Sequence, residues 1–307
     1  MIANTGDGQA LRPGLEEGLS LLLLALIWGS SFLFIGISLR AIPPLTLAAL
    51  RILLAALCLW GVLAVSGGTR SMRGQNWPAF TIMGLLNNVC PFSLIIWSQL
   101  TISSGLAAIL VATTPLLGLI SAAVLLPDEP VTRNKVLACG AGFAGVISIA
   151  GAQSLHGDSA ELAATAACLL GAASFALAGA FGRRFARDGI APLITATGQV
   201  TAAACLLTPL ALFVEQPWTL AIPSLKIWSA VLALGVVSTA FAYVLYFRIL
   251  ARAGASSLLL VNLLVPLPAI VFGTRWLHES LRVEDFAGLM LITGALLASD
   301  TRLWQRR

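Results

Sequence analysis

Polar side chains lie within long apolar stretches of this sequence, where their hydrogen-bonding groups could meet a small solute. Asn88 and Gln99 are separated by eleven residues in one such stretch, as are Asn87 and Ser98 one residue earlier. Because eleven residues complete about three helical turns, each pair shares one face of a helix. A polar group in hydrocarbon is costly without a partner, so such faces are expected to line the interior of a bundle or a wet cavity.

A second polar and aromatic stripe is formed by Thr239, Tyr243 and Tyr246, at positions i, i+4 and i+7. The alternative is that these groups join helices by hydrogen bonds, which contribute only about 0.6 kcal/mol on average. The sequence favours the cavity interpretation. The candidate cavity residues are Trp28, Ser31, Asn87, Asn88, Trp97, Gln99, Gln199, Thr239, Tyr243, Tyr246 and Asn262.

Arg51 is a charged residue about eight positions inside an apolar stretch. A charge near the middle of a membrane costs about 2.5 to 3.5 kcal/mol on insertion scales, so its environment must compensate it. Arg51 could bind the anionic group of a solute, or it could snorkel outward or cap backbone carbonyls of a neighbouring helix. The structural role is favoured.

Two prolines interrupt apolar stretches at matching places. Pro115 and Pro266 each remove one backbone hydrogen bond, and Asn262 lies one turn before Pro266 as a local partner for the freed carbonyls. The matched pair indicates either two gating hinges or two fixed bends that shape a cavity.

The acidic residues lie in tails, in loops or at the ends of apolar stretches, and so do His156 and His278. Energy coupling therefore has two alternatives: Glu129 or Glu279 titrates at the rim, or the solute moves down its own gradient, which is favoured. The sequence has no phosphate-binding glycine loop for ATP. It predicts no cofactor, no metal site and no catalytic group, since its five cysteines form no Cys-x-x-Cys pair.

These side chains must be positioned by membrane helices. Of 307 residues, 58% are hydrophobic and 10% charged, whereas a soluble domain has about 25% charged residues. The apolar blocks are about 20 residues long, enough to cross the bilayer as helices. The fold class is therefore an all-α integral membrane protein. The predicted spans are 18–39, 43–66, 79–100, 104–126, 134–152, 162–182, 190–213, 227–250, 256–277 and 283–303.

The basic residues predict the orientation. With ten spans and cytoplasmic termini, thirteen bases face the cytoplasm and four face outward, which follows the positive-inside rule. The bases thus set orientation, and the net charge of +5 does not indicate nucleic acid. The acidic start of the chain is unlike a signal peptide, so the first helix is expected to remain.

The chain also contains an internal repeat. A shift of 151 residues superposes Gly84 on Gly235, Phe92 on Tyr243 and Pro115 on Pro266, and it places Asn87-Asn88 on Ser238-Thr239. Because each unit holds five helices, the second must enter the membrane from the opposite side, which is an inverted repeat around a central cavity. The expected organisation is an N-terminal tail 1–17, a first unit 18–152, a linker 153–161, a second unit 162–303 and a C-terminal tail 304–307.

Several short motifs resemble the drug/metabolite transporter superfamily, in its ten-helix form of two EamA-type repeats. They are Trp28-Gly29-Ser30-Ser31-Phe32, Pro43-Pro44 with Arg51, Thr114-Pro115 with Glu129, and the later set of Asn262, Pro266 and Glu279. The resemblance covers nearly the whole chain. It implies a bacterial inner-membrane exporter with both termini in the cytoplasm, and the size and build are similar to amino-acid exporters of the YddG type.

Two departures from that pattern matter. The second unit has Gly171-Ala172-Ala173 where the first has Trp28-Gly29-Ser30, and the first span lacks the glutamate that small multidrug relatives carry. The leading hypothesis is thus alternating-access export of small metabolites, amino acids first, by uniport without an ATPase subunit. The alternatives are a multidrug exporter of lipophilic or cationic compounds and an intramembrane enzyme, for which the sequence lacks a clustered set of reactive side chains.

Overall fold

The described part of the chain is entirely helical. A computed structural model describes residues 15–125, 133–155 and 159–299, and these ranges contain no strand. Within them, seven helices are long and apolar enough to cross a membrane by length and composition. They are Glu16–Ser38, Pro44–Val65, Trp77–Ser98, Ser104–Ser121, Ser159–Arg187, Pro192–Glu215 and Leu225–Leu250. Two shorter apolar helical stretches, Cys139–Ser148 and Val261–Leu277, accompany them. The all-helical membrane fold expected from the sequence is confirmed for this part of the chain.

The described part of the first half contains seven α-helices, and α3 and α4 are joined by a π-helical stretch, Leu85–Val89. Proline begins α2, where its missing N–H costs nothing because the first helical turn has no acceptor for it. The helices are α1 (Leu15–Ser38), α2 (Pro44–Val65), α3 (Trp77–Gly84), α4 (Cys90–Ser98), α5 (Ser104–Val111), α6 (Thr114–Leu125) and α7 (Arg133–Leu155).

The second half repeats this pattern of long helices and π-helical interruptions. The stretch Ala233–Phe241 is π-helical and joins α10 to α11, and Gly273–Leu277 continues α12 in the same way. The helices are α8 (Ser159–Arg187), α9 (Pro192–Glu215), α10 (Leu225–Leu232), α11 (Ala242–Leu264), α12 (Pro266–Phe272) and α13 (Val283–Ser299).

One predicted connection differs from the structure. The sequence placed a loop between spans ending at 250 and beginning at 256, but α11 continues through these residues to Leu264. The segment 251–255 contains no proline, so each residue can donate a helical hydrogen bond. The interruption falls instead at Val265, directly before Pro266.

Helix contacts cross repeatedly between the halves. The helix α2 packs along α9, and α7 packs along α13. The helix α1 lies against α11, and α8 lies against α4. Three apolar clusters fill the interior of the described part: one includes Leu24 and Val261, a second joins α2 and α9 and includes Leu59 and Leu207, and a third includes Phe80.

Two glycines allow these helices to approach closely. A Cβ atom on Gly84 would lie 2.6 Å from the backbone oxygen of Gln199, and one on Gly235 would lie 3.1 Å from the backbone oxygen of Arg51. Neither glycine can therefore gain a side chain without a shift of a neighbouring helix backbone. The contacts bring the π-helical stretches against α9 and α2.

Candidate functional site

Two π-helical stretches position the polar residues of the site. Asn87 and Asn88 lie in Leu85–Val89, and Thr239 lies in Ala233–Phe241. The wider turn disturbs the normal i to i−4 hydrogen-bond ladder and leaves backbone carbonyls for other donors. Ser174 of α8 donates to the oxygen of Leu86 at 2.7 Å, and Thr239 Oγ1 donates to the oxygen of Leu234 at 2.8 Å.

A hydrogen-bond network centred on Tyr243 joins the two halves of the chain. Asn87 Nδ2 donates to Gln199 Oε1 and to the Tyr243 hydroxyl, each at 3.1 Å. The Tyr243 hydroxyl donates in turn to Asn88 Oδ1 at 3.1 Å. Asn88 is fully buried and Gln199 is 1% exposed. The structure therefore brings together four of the predicted cavity residues, two from each half.

Arg51 lies beside this network. Its Nε donates to Thr239 Oγ1 at 2.9 Å, and its guanidinium lies 4.0 Å from the centre of the Phe92 ring. Contact with an aromatic face stabilises a desolvated cation by about 2 kcal/mol, which offsets part of the cost of burying it. Arg51 is seven residues beyond the start of α2, about 10 Å along the helix axis, so its charge lies well inside the bundle.

Aromatic rings extend the site away from the polar network. The ring centroids of Trp28 and Tyr246 are 5.9 Å apart, and those of Tyr246 and Phe247 are 5.2 Å apart. Phe247 also stacks on Tyr243 at 6.2 Å. Such rings offer an apolar surface and π faces to a solute held by the polar groups. Trp28, Tyr243 and Tyr246 are thus continuous in space, although α1 and α11 are far apart in sequence.

Other predicted cavity residues lie apart from this group. Ser31 is buried and donates to the oxygen of Trp28 at 2.6 Å, within its own helix. Trp97 is 44% exposed on the surface. Gln99 lies past the end of α4, where the nitrogen and oxygen of its amide are buried and have no described partner. Asn262 is half-buried on α11, one turn before Pro266.

The two prolines lie at helix interruptions. Pro115 is the second residue of α6, after a break at Ala112 and Thr113, and Pro266 is the first residue of α12. Because Pro115 has no N–H, the oxygen of Val111 loses its helical partner, and Thr114 Oγ1 donates to it at 2.7 Å.

Glu279 holds the start of a helix from the other half. Its Oε2 accepts from the backbone N–H of Ser104 at 2.9 Å and from the Ser104 hydroxyl at 2.6 Å. Glu279 thereby satisfies a free N–H at the start of α5, where the helix dipole also favours a negative charge. Glu129, its predicted counterpart, lies outside the described residues.

A second carboxylate makes the same kind of contact. Glu215, the last residue of α9, accepts from the backbone N–H groups of Leu45 and Thr46 at 2.9 and 2.6 Å and from the Thr46 hydroxyl at 2.7 Å. The start of α2 is therefore joined to the end of α9. The sequence analysis missed this contact because its partners are about 170 residues apart.

Phe92 and Phe247 are site residues that the sequence analysis did not select. Phe92 was noted only as the repeat counterpart of Tyr243, although that match already placed an aromatic ring at the equivalent position. Phe247 lies four residues after Tyr243 and so shares its helix face. Both would have followed from extending the stripe of Tyr243 to every aromatic residue on its face and in its repeat.

Two clefts open outside the polar network. One, of about 340 Å³, is lined by residues of α6, α7 and α8 and is almost wholly apolar. The other, of about 390 Å³, lies between α2, α9 and the segment 217–223 and includes Trp218 and Trp228. The described residues contain no group of three or more metal-ligating side chains. The network supplies hydrogen bonds and one cationic group, which suit recognition of a solute.

Comparison with known proteins identifies relatives along almost the whole chain. Residues 17–151 and 162–299 each match the EamA-like transporter family. The uncharacterized transporter YoaV of Bacillus subtilis is 26% identical over 89% of this chain and 93% of its own length. The protein PecM of Dickeya dadantii is 24% identical over 92% of this chain and 91% of its length.

Two further matches extend the comparison. The uncharacterized inner membrane transporter YedA of Escherichia coli K12 is 28% identical over 91% of this chain and 88% of its length. A solved crystal structure with 20% sequence identity superposes with a TM-score of 0.67 and covers 94% of this chain and 98% of that one. The structural match supports the fold alone.

Proposed function

We propose, from the premise that this chain belongs to the EamA-like transporter family, that it exports small metabolites, amino acids first, by alternating access. Its family and relatives are transporters and not enzymes, and it is a multi-pass inner-membrane protein of the drug/metabolite transporter superfamily. The observation that carries the proposal is the buried hydrogen-bond network in which Asn87 and Asn88 of the first half meet Gln199 and Tyr243 of the second.

The proposed architecture is ten spans in two inverted units, 18–152 and 162–303, with tails 1–17 and 304–307 and a linker 153–161. Contacts between helices of different units support this architecture. The first helix of one unit packs on the third helix of the other, as α1 on α11 and α8 on α4, while the second helices, α2 and α9, pair with each other. Any two-fold relation between the units produces this exchange, and five helices in each unit would place the axis in the membrane plane.

Side-chain contacts around the site support the same symmetry. Arg51 and Gln199 occupy matching places in the two units, since each is seven residues beyond the proline that begins its helix. Arg51 contacts Thr239 and the Phe92 ring, whereas Gln199 contacts Asn87, which is bonded to Tyr243. The glycine contacts exchange in the same way, since Gly84 lies against Gln199 and Gly235 against Arg51.

We assign the solute site to the network and its aromatic extension, namely Trp28, Asn87, Asn88, Gln199, Thr239, Tyr243 and Tyr246. Its position between the halves suits alternating access, because rocking of one unit against the other would expose the site to each side in turn. The breaks before Pro115 and Pro266 are then the proposed hinges.

Uniport is the proposed energy mode. Every acidic residue that the structure describes lies near a helix end or in a connection, so none of them is buried beside the network. Of the two proposed rim carboxylates, that of Glu279 accepts hydrogen bonds from the backbone N–H and the hydroxyl of Ser104. A proton carrier that controls access would need contact with the solute site or with a gate.

Reconstitution of the purified chain in liposomes tests the transport function. A panel of labelled amino acids should equilibrate across these membranes faster than across empty liposomes. An excess of unlabelled amino acid, which saturates the transporter, should abolish the difference in rate between liposomes with and without protein. Equal rates with and without protein for the whole panel would contradict amino acids as the cargo.

A further inference from the structure

Arg51 retains hydrogen-bond donors that the protein does not use. Its Nε donates to Thr239, but its two Nη groups have no hydrogen-bond acceptor among the described residues. The side chain is nevertheless only 5% exposed. A guanidinium carries five N–H donors, so four of the five have no acceptor among the described residues.

Its positive charge also lacks a described counter-charge. The carboxylates of Glu215 and Glu279 are bound to the first turns of α2 and α5. Arg51 makes no ion pair with any carboxylate in the described ranges. The Phe92 ring stabilises the cation but accepts no conventional hydrogen bond.

Asn88 provides a second unused donor in the same network. It is fully buried, its Oδ1 accepts from Tyr243, and its Nδ2 has no partner in the described part of the chain. Thr239 and Tyr243 are four residues apart, so they hold Arg51 and Asn88 beside successive turns of one helix. Two residues, one of them charged, therefore have unfilled donors beside neighbouring turns of the same segment.

We infer that Arg51 and Asn88 form a subsite for the carboxylate group of the transported solute. This inference rests on the proposed transport function and specifies its substrate class. The planar fork of an arginine matches the two oxygens of a carboxylate, and the amide adds a neutral donor. The matching position in the second unit is the neutral Gln199, so the site binds its solute in one orientation, with the carboxylate toward Arg51. Lipophilic cations are excluded by the same charge.

Matched pairs of ligands test the subsite on the purified full-length chain. The probes are L-phenylalanine against L-phenylalaninamide, and hexanoate against hexanamide, measured by thermal stabilisation over a range of concentrations. The carboxylate member of at least one pair should bind about tenfold more tightly, because its charge-assisted hydrogen bonds are lost in the amide. Arg51→Gln should reduce this ratio to about twofold or less. Arg40→Gln, which removes an exposed arginine, should leave the ratio unchanged.

Each outcome decides the inference. Equal binding of acid and amide by the unaltered protein, or no binding of either pair, overturns it, as does a full carboxylate preference in Arg51→Gln. If Arg51→Gln does not fold, Arg51→Lys takes its place. An acid-to-amide binding ratio in Arg51→Lys below that of the unaltered protein then supports the inference, and an unchanged ratio overturns it. Binding of hexanoate but not phenylalanine supports the subsite and contradicts amino-acid cargo. Equal transport of phenylalanine and its amide retains the transporter and overturns the subsite.

Discussion

At the residue scale, the site depends on hydrogen bonds that no single helix can supply. The Tyr243 hydroxyl accepts from Asn87 and donates to Asn88, so one atom links α11 to the π-helical stretch of the other half. Burying these polar groups costs free energy, because each loses its hydrogen bonds to water. Because substitution of one partner leaves the others buried and unsatisfied, each member should be sensitive to change.

We therefore predict that Tyr243→Phe and Asn88→Ala both lower transport. Each removes a hydrogen-bonding group from the proposed solute site, and a loss of about 1 to 3 kcal/mol corresponds to a rate lower by roughly 5-fold to 150-fold. The initial rate of substrate uptake into liposomes, at matched protein content, measures the effect.

Ser229→Ala serves as the control because the Ser229 hydroxyl is exposed and bonds only within its own helix. It should transport at the unaltered rate. Unaltered transport by both Tyr243→Phe and Asn88→Ala would mean that the network joins helices and does not bind the solute.

The sequence predicted the members of this site better than their arrangement. Asn87, Asn88, Thr239 and Tyr243 were selected because polar side chains within apolar stretches are few. Gln99 was assigned to the face of Asn88 on the assumption of a regular helix, but Asn88 itself lies in a π-helical stretch and α4 ends before Gln99. The partners across the halves could not be predicted because pairing depends on close contacts such as Gly84 against Gln199.

At the element scale, two carboxylates hold helix starts from the opposite half. Glu215 binds the start of α2, and Glu279 binds the start of α5. Both contacts lie at the ends of the helices where the connections before α2, α5, α10 and α13 are found. If the chain has the proposed topology, this is the outer side, so the two contacts would stabilise closure there.

We predict that Glu279→Ala lowers stability by about 0.5 to 2 kcal/mol, which is the usual effect of removing a helix cap. The measurement is the thermal unfolding midpoint in detergent. Under the proposed uniport the carboxylate acts as a cap and not as a proton carrier, so Glu279→Gln should transport with the same pH dependence as the unaltered protein.

Glu284→Gln is the matched control, since Glu284 is a nearby, partly exposed carboxylate in the first turn of α13. Glu284→Gln should change neither the thermal unfolding midpoint nor the pH dependence of transport. Loss of a pH response in Glu279→Gln alone would show that the rim carboxylate titrates during transport.

At the scale of the whole molecule, helices from the two halves of the chain pack against each other although they are far apart in sequence, as α1 does on α11 and α2 on α9. Composition and span length predicted a helical membrane protein, because crossing a bilayer leaves few other solutions. The positions of π-helical stretches and the continuation of α11 past residue 250 were not predictable, since both depend on packing and not on apolar length.

The orientation in the membrane gives a direct prediction. The connection after α8 should face the cytoplasm and the segment after α9 should face outward, because bases are concentrated on the first side. An impermeant thiol reagent applied to intact cells should label Thr219→Cys but not Asp188→Cys, each placed at an exposed position. Lysed cells, in which both should react, provide the control, and the reverse pattern in intact cells would refute the orientation.

The central claim is that the solute crosses through the shared polar network and is driven by its own gradient. Purified protein in liposomes, given a labelled carboxylate substrate with and without an imposed pH gradient, tests it most directly. A uniporter should bring the inner concentration to the outer one at the same final level in both conditions, and Tyr243→Phe should slow the approach without changing that level. Accumulation above the outer concentration under a pH gradient would contradict uniport, and an unchanged rate in Tyr243→Phe would contradict the proposed route.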